Sequence, residues 1–239
     1  MSIEKLEKDY YGAEGKKYLS NSDIGALLKD PSSFHKYKEP TLPMLHGSYF
    51  HTAMLEPHLL EYFQVIECAT RNTKVYKEEL DQSSEDILLL EKEKENLDLL
   101  VDAMKGSMEF YNLIYSKGNT YEQVGTKLIG GEMWKGKADI IHPEYIIDLK
   151  TSSNVDDFMY SARKYNYDSQ AWIYGQLFEK PMIFLVIEKN THRMGYFDCS
   201  DSFLEQGKEK VSRALEVYKR YYGKNPTEDI NQYYLTKTL

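Results

Sequence analysis

The stretch Lys137–Ser152, KADIIHPEYIIDLKTS, holds two short apolar runs that meet at the triplet His142-Pro143-Glu144. A proline in a polar triplet marks a turn, and the β-branched residues on either side predict two adjacent antiparallel strands. Three charges, Asp139, Asp148 and Lys150, interrupt strands that otherwise look built for a core. Side chains two apart in a strand face the same way, so Asp148 and Lys150 share one face, Ile147 and Leu149 the other, and Asp139 lies on the neighbouring strand. Two carboxylates that approach each other across such a pair repel unless a cation sits between them. Oxygen ligands with water suit magnesium or manganese, and the Leu149 backbone carbonyl could complete the shell. A plainer reading leaves both aspartates beside turns and pairs Lys150 with one of them on a solvated edge.

Outward from this stretch the period of the apolar residues divides the chain. TYEQVGTKLIG precedes it as a third strand, so a β meander sits at the centre of the sequence. Upstream, SNSDIGALLKDP predicts a short helix capped near Ser20 and stopped at Pro31. LHGSYFHTAMLEP predicts a helix that ends at Pro57 and carries His51. Ser83–Met104 is expected as one long exposed helix whose EKEKE run is its solvated side, and Met108–Tyr115 as a second helix closed by Gly118. Downstream, VDDFMYSARKY and DSQAWIYGQLFEK read as helices, MIFLVIEK and HRMGYFDC as strands, and Ser202–Tyr222 as an amphipathic helix. The expected fold is one α/β domain over 1–239: a central mixed sheet flanked by helices, a helical N-terminal part, and about 67–117 as a helical insertion.

Composition excludes several classes. With 239 residues and 41% hydrophobic content the chain can bury a real core. It has no apolar run of membrane-spanning length and opens on charges, so a protein of the cytoplasm, in a bacterial or phage-infected cell and off the membrane, is expected. Cys68 and Cys199 lack a partner at ligand spacing, which argues against a zinc or iron–sulfur site. A net charge of −8 opposes a simple nucleic-acid coating protein but leaves room for a local basic groove. Most of the 21 tyrosines are expected to pack amphipathically. GEMWKGKA, Gly131–Ala138, nearly spells a phosphate-binding loop, yet it ends on Ala138 rather than a hydroxyl and runs into a strand.

Gln170 and Tyr174 stand four apart on one helical face, where both could reach a strand end or a phosphate. With that pair added, the order of motifs resembles the RecE-type (exonuclease VIII) branch of the PD-(D/E)xK nucleases, related to RecB-type nuclease domains. The motifs are Gly47-x-x-x-His51, Glu122 after Tyr121, Gly-Lys-Ala-Asp139, Asp148-Leu-Lys150, and Gln170-x-x-x-Tyr174. The resemblance implies a PD-(D/E)xK restriction-endonuclease-like core in which His51, Asp139, Asp148, the Leu149 carbonyl and Glu122 hold Mg2+, with Mn2+ tolerated. It implies that Lys150 acts on the attacking water and the developing charge, and that Gln170 and Tyr174 position the DNA strand. It further implies digestion of linear double-stranded DNA from 5′ ends to leave 3′ overhangs for recombination and repair, a ring-like homo-oligomer such as a tetramer, and a RecT-type single-strand annealing partner. On so acidic a chain the DNA path must be locally basic, and Lys135, Lys137, Arg163 and Lys164 are the candidates. Two other readings stay open: a nuclease of the superfamily acting on flaps or internal sites, and a DNA-binding module without catalysis.

Overall fold

The computed structural model describes residues 3–236. In chain order the helices and strands are α1 Ile3–Lys8, α2 Asn21–Lys29, α3 Leu42–Leu55, β1 Val65–Ile66, α4 Lys74–Gln82, β2 Leu89–Leu90, α5 Glu91–Gly106 and α6 Met108–Ile114. There follow β3 Thr120–Ile129, β4 Glu132–Ile141, β5 Ile146–Ser152, α7 Phe158–Lys164, α8 Tyr167–Phe178, β6 Met182–Glu188, β7 Met194–Asp198 and α9 Asp201–Tyr221.

Strands β3 to β7 form one mixed sheet in sequence order. β3–β4, β4–β5 and β6–β7 pair antiparallel, and β5–β6 pair parallel. A parallel neighbour needs a crossover, and α7 and α8 provide it. The expected meander is present, as are the two helices and two strands read after it, and the parallel β5–β6 pairing makes them a β-α-β unit. β4 runs unbroken from Glu132 to Ile141, so the near-match to a phosphate loop is a strand.

Alternation along β6 separates two cores. Met182, Phe184 and Val186 pack with α2, α7, α8 and α9, and Ile183, Leu185 and Ile187 pack with α3, α5 and α6. Every residue of β6 is buried, as a strand covered on both faces must be. The molecule is therefore three layers, helices on each face of the sheet.

One expectation fails in part. Ser83–Met104 is not a single helix: α5 starts at Glu91, and Leu89-Leu90 pairs parallel with Val65-Ile66 as a small second sheet. Leu88, Leu89 and Leu90 are each 8% exposed or less, so burial between layers outweighs helical periodicity. Nor is α5 merely a solvated helix, since Leu97, Leu100, Val101 and Met104 help form the layer over the sheet. Among the described residues no helix is long and apolar enough to cross a membrane. Cys68 and Cys199 are free thiols.

Candidate active site

The site is built where β4 and β5 part. Their ladder pairs Ile141 with Ile146 and Ile140 with Ile147, and that register brings Asp139 opposite Asp148. There the ladder stops, and Leu149 N–H donates to Asp139 Oδ2 at 2.9 Å instead of to a backbone carbonyl. The N–H and C=O of one strand residue share an edge, so the Leu149 carbonyl also faces the gap. The opposite side of Asp139 is irregular as well. Glu122, in register with Asp139 on β3, drops out of the ladder with φ of 53°, a left-handed conformation unusual for glutamate. Across this point the alternation of β4 switches cores: Ala138 packs with α8, and Ile140, two residues on, packs with α3 and α5.

α3 delivers His51 to the gap. Its Nδ1 lies 2.7 Å from the Gly47 carbonyl one turn back, and its Nε2 lies 3.0 Å from Asp139 Oδ2. With Nδ1–H spent on Gly47, Nε2 faces a carboxylate oxygen, and two acceptors at that distance need a proton or a cation between them. Burial opposes charge on His51, but the facing Asp139 outweighs it and raises the imidazole to about 9. Burial likewise opposes the Asp139 anion, and His51 more than offsets it, so that carboxyl sits below its ordinary range.

Asp148 is 2% exposed and its carboxylate bridges two partners. Gln170, on the first turns of α8, donates from Nε2 to Asp148 Oδ1 at 2.6 Å, and Lys150 forms an ion pair with Oδ2. Burial pushes the Asp148 carboxyl up to about 6 against the pull of Lys150. Burial also works against charge on Lys150, but Asp148 and then Asp139 hold its ammonium above the usual lysine range. Beneath it lies the Tyr167 ring, with Nζ 4.8 Å from the centroid.

Among the described residues no three His, Cys, Asp or Glu side chains form a ready cage for a metal ion. The donors nevertheless fit a hard divalent ion. Such ions are bound through one or two carboxylates, with waters and substrate phosphate filling the shell, and here two aspartates stand in register beside an imidazole whose other nitrogen is fixed by a carbonyl.

The remaining sequence candidates divide. Glu122 lines the cleft but its carboxylate pairs with Lys137. Burial raises the Glu122 carboxyl, while the pairing lifts the Lys137 ammonium despite its own desolvation. Tyr174 is nearly buried, and its hydroxyl exchanges hydrogen bonds with the Lys137 backbone at 3.0 and 3.3 Å, so it braces β4 against α8. The four proposed DNA-binding cations do not form one patch. Lys135 is 6% exposed and its ammonium is spent on Tyr10, through the carbonyl and, at 4.0 Å, the ring. Arg163 binds Gln206 and the Met159 carbonyl. Lys164 alone stands exposed on the cleft. Sequence reading missed Tyr167, although Tyr167, Gln170 and Tyr174 keep the spacing of one helical face. It also missed Glu56, the C-cap of α3 one turn past His51, and Tyr10 and Tyr11, which enter the cleft from an N-terminal segment with no motif.

Residues 17–227 match the family described as a PDDEXK-like domain of unknown function (DUF3799). No curated protein matches the sequence significantly. A crystal structure of a Eubacterium rectale protein provisionally named an exonuclease is similar in fold, with a TM-score of 0.64 at 18% identity, over 97% of this chain and 94% of that one. A phage-related exonuclease from Haemophilus somnus aligns over 85% of this chain and 94% of its own, with a TM-score of 0.37 and 15% identity.

Proposed function

The chain belongs to that PDDEXK-like family, and from this premise we propose that it is a metal-dependent deoxyribonuclease of the RecE-type branch, hydrolysing linear double-stranded DNA from 5′ ends and leaving 3′ single strands. The observation that carries the reading is the meeting of Asp139, Asp148 and Lys150 where β4 and β5 part, with His51 and Gln170 closing over them. A core has no use for three charges and an imidazole at one strand opening, whereas a phosphodiester does.

Asp139, Asp148, the Leu149 carbonyl and His51 would hold the ion, with the Glu122 carboxylate beside them in register. When bound, Mg2+ or Mn2+ lowers the pKa of a water and stabilises charge on the leaving 3′ oxygen. The protein's own groups do the rest. Lys150 keeps its proton and is aimed to stabilise charge that builds on the phosphate and to orient the attacking water. Gln170 fixes one oxygen of Asp148, so the carboxylate cannot rotate away. Leu149 N–H does the same for Asp139.

The 5′ polarity, the role in recombination, the ring-like homo-oligomer and the RecT-type annealing partner are supported by the resemblance in motif order. The test uses linear and circular duplexes labelled at 5′ or 3′ ends, with and without Mg2+, and the Asp148→Ala and Lys150→Ala variants. Release of 5′ label from linear DNA alone, lost in both variants, is the expected result. Cleavage of circular DNA would refute end dependence, and undiminished activity in both variants would refute the site.

A further inference from the structure

The cleft above the catalytic groups has two halves that share His51. The smaller, about 560 Å3, carries Glu56, Glu122 and Asp139 against Lys135 and Lys137, and both lysines are already committed, to Tyr10 and Glu122. The larger, about 980 Å3, runs from Lys150 past α7 and carries Lys164 and Lys189, with Asp157 its one carboxylate. Asp157 is itself engaged by the Asn154 side-chain amide at 2.8 Å. A polyanion is drawn to the larger half and repelled by the smaller.

Lys189 is the most informative group there. It is half-buried, burial alone pulls its pKa down, and among the described residues no carboxylate pairs with it. A cation desolvated without a counter-charge costs free energy that an incoming anion recovers. Aromatic rings accompany the charges. Tyr160 and Tyr165 are 68% and 56% exposed on the wall of the same half. Tyr160 and Lys164 stand four apart on α7, and Lys164 Nζ lies 5.4 Å from the Tyr165 ring. The Tyr165 ring is 6.2 Å from that of Tyr167, the ring under Lys150. A chain of rings and ammonium groups thus leads from the catalytic lysine to the surface.

We propose that the strand carrying the scissile bond lies in the larger half as single-stranded DNA, its phosphates held by Lys189 and Lys164 and its bases stacked on Tyr160 and Tyr165. The assignment rests on the nuclease reading and adds the form of the substrate at the site: an unpaired strand, because stacking on a side chain uses a base face that duplex neighbours cover.

The test separates the two. Anisotropy in EDTA follows binding of a labelled single strand of about 12 nucleotides, a length single-strand sites span, and of a blunt duplex of the same sequence. The Tyr160→Ala, Tyr165→Ala double variant is expected to bind the single strand at least about 30-fold more weakly, as loss of two stacking platforms implies, and the duplex with a much smaller change. Lys189→Gln, with Lys164→Gln as an independent variant, is expected to flatten the log–log salt slope by about 0.7 per lost phosphate contact. Melting temperatures equal to that of the unsubstituted protein show that these surface variants fold. Unchanged single-strand binding in all variants, or an equal loss on blunt duplex, would overturn the proposal. Parallel cleavage by the unsubstituted protein with Mg2+ or Mn2+ keeps the outcomes distinct. Cleavage without the binding losses leaves the nuclease and removes this path, and the binding losses without cleavage leave the path and remove the nuclease.

Discussion

Lys150 and Asp148 each carry a charge that burial penalises, and each is tolerable because of the other. That mutual dependence makes them poor surface ornaments and fits the catalytic roles proposed for them. Glu122 is the contrasting case. It stands beside the gap, yet its carboxylate pairs with Lys137, and its left-handed backbone turns it out of the ladder. Lys150→Ala removes a preorganised cation from the developing charge and is expected to cut the cleavage rate by about 10²- to 10³-fold. Glu122→Gln keeps the shape and a hydrogen-bonding group for Lys137 and removes only the charge, so a loss under about tenfold is expected, some 1.4 kcal/mol of barrier. Single-turnover rates of the two variants side by side measure the difference. A Glu122→Gln loss as large as that of Lys150→Ala would make Glu122 an ion ligand.

At the scale of elements, the site depends on contacts that hold α8 and α5 in place. The α8 N-terminus, which carries Gln170, is pinned by Lys210 of α9. The Lys210 ammonium meets the Arg163 carbonyl at 2.7 Å, Asn166 Oδ1 at 3.1 Å and both oxygens of Asp168, at 2.9 and 2.8 Å. Asp168 is fully buried, so Lys210→Met leaves an unpaired charge inside and is expected to cost about 3–5 kcal/mol of stability, read from the urea midpoint. At the start of α5, Glu93 accepts from Leu90 N–H at 3.1 Å and receives both Arg71 Nη atoms at 2.6 Å. Burial works against the Glu93 anion, but Arg71 outweighs it and lowers the carboxyl. A depressed folded pKa gives stability that is present above the unfolded value of about 4.3 and is lost as pH falls further. Glu93→Gln is therefore expected to destabilise by about 1–2 kcal/mol at pH 7, a partly exposed pair being screened, and the gap between variant and unsubstituted protein is expected to narrow steadily as pH falls below about 4.3. These same elements show what was legible in the sequence. Strands β3 to β7 and the Asp139–Asp148–Lys150 opening could be read because their period and turns are local. The Leu89–Leu90 strand could not, because it fits a helical period and its partner, Val65–Ile66, lies more than twenty residues away. Lys135 was misread as a free cation for a similar reason: what covers it, Tyr10, is 125 residues distant.

For the whole molecule, the N-terminal segment is the part whose removal distinguishes scaffold from site. α1 packs Leu6, 1% exposed, and the turn after it lays Tyr10 over Lys135; Leu19 then joins β4 through Met133 and Lys135 backbone groups. The side chains at the β4–β5 opening come from α3, β4, β5 and α8, and none comes from this segment. Deleting residues 1–14 while keeping Leu19 should therefore weaken the fold more than the chemistry. Loss of Leu6 burial alone is worth about 1.5–3 kcal/mol. At roughly 2–4 °C per kcal/mol for a chain of this size, a fall of some 5–10 °C in melting temperature is expected. The cleavage rate, measured well below that melting temperature, is expected to stay within about fivefold, a barrier change near 1 kcal/mol. The segment's two tyrosines line only the acidic, smaller half of the cleft, which the proposed strand path avoids. If the truncated protein melted as expected but lost cleavage by about a hundredfold or more, nearly 3 kcal/mol of barrier, the strand would have to run through the smaller half against Tyr11.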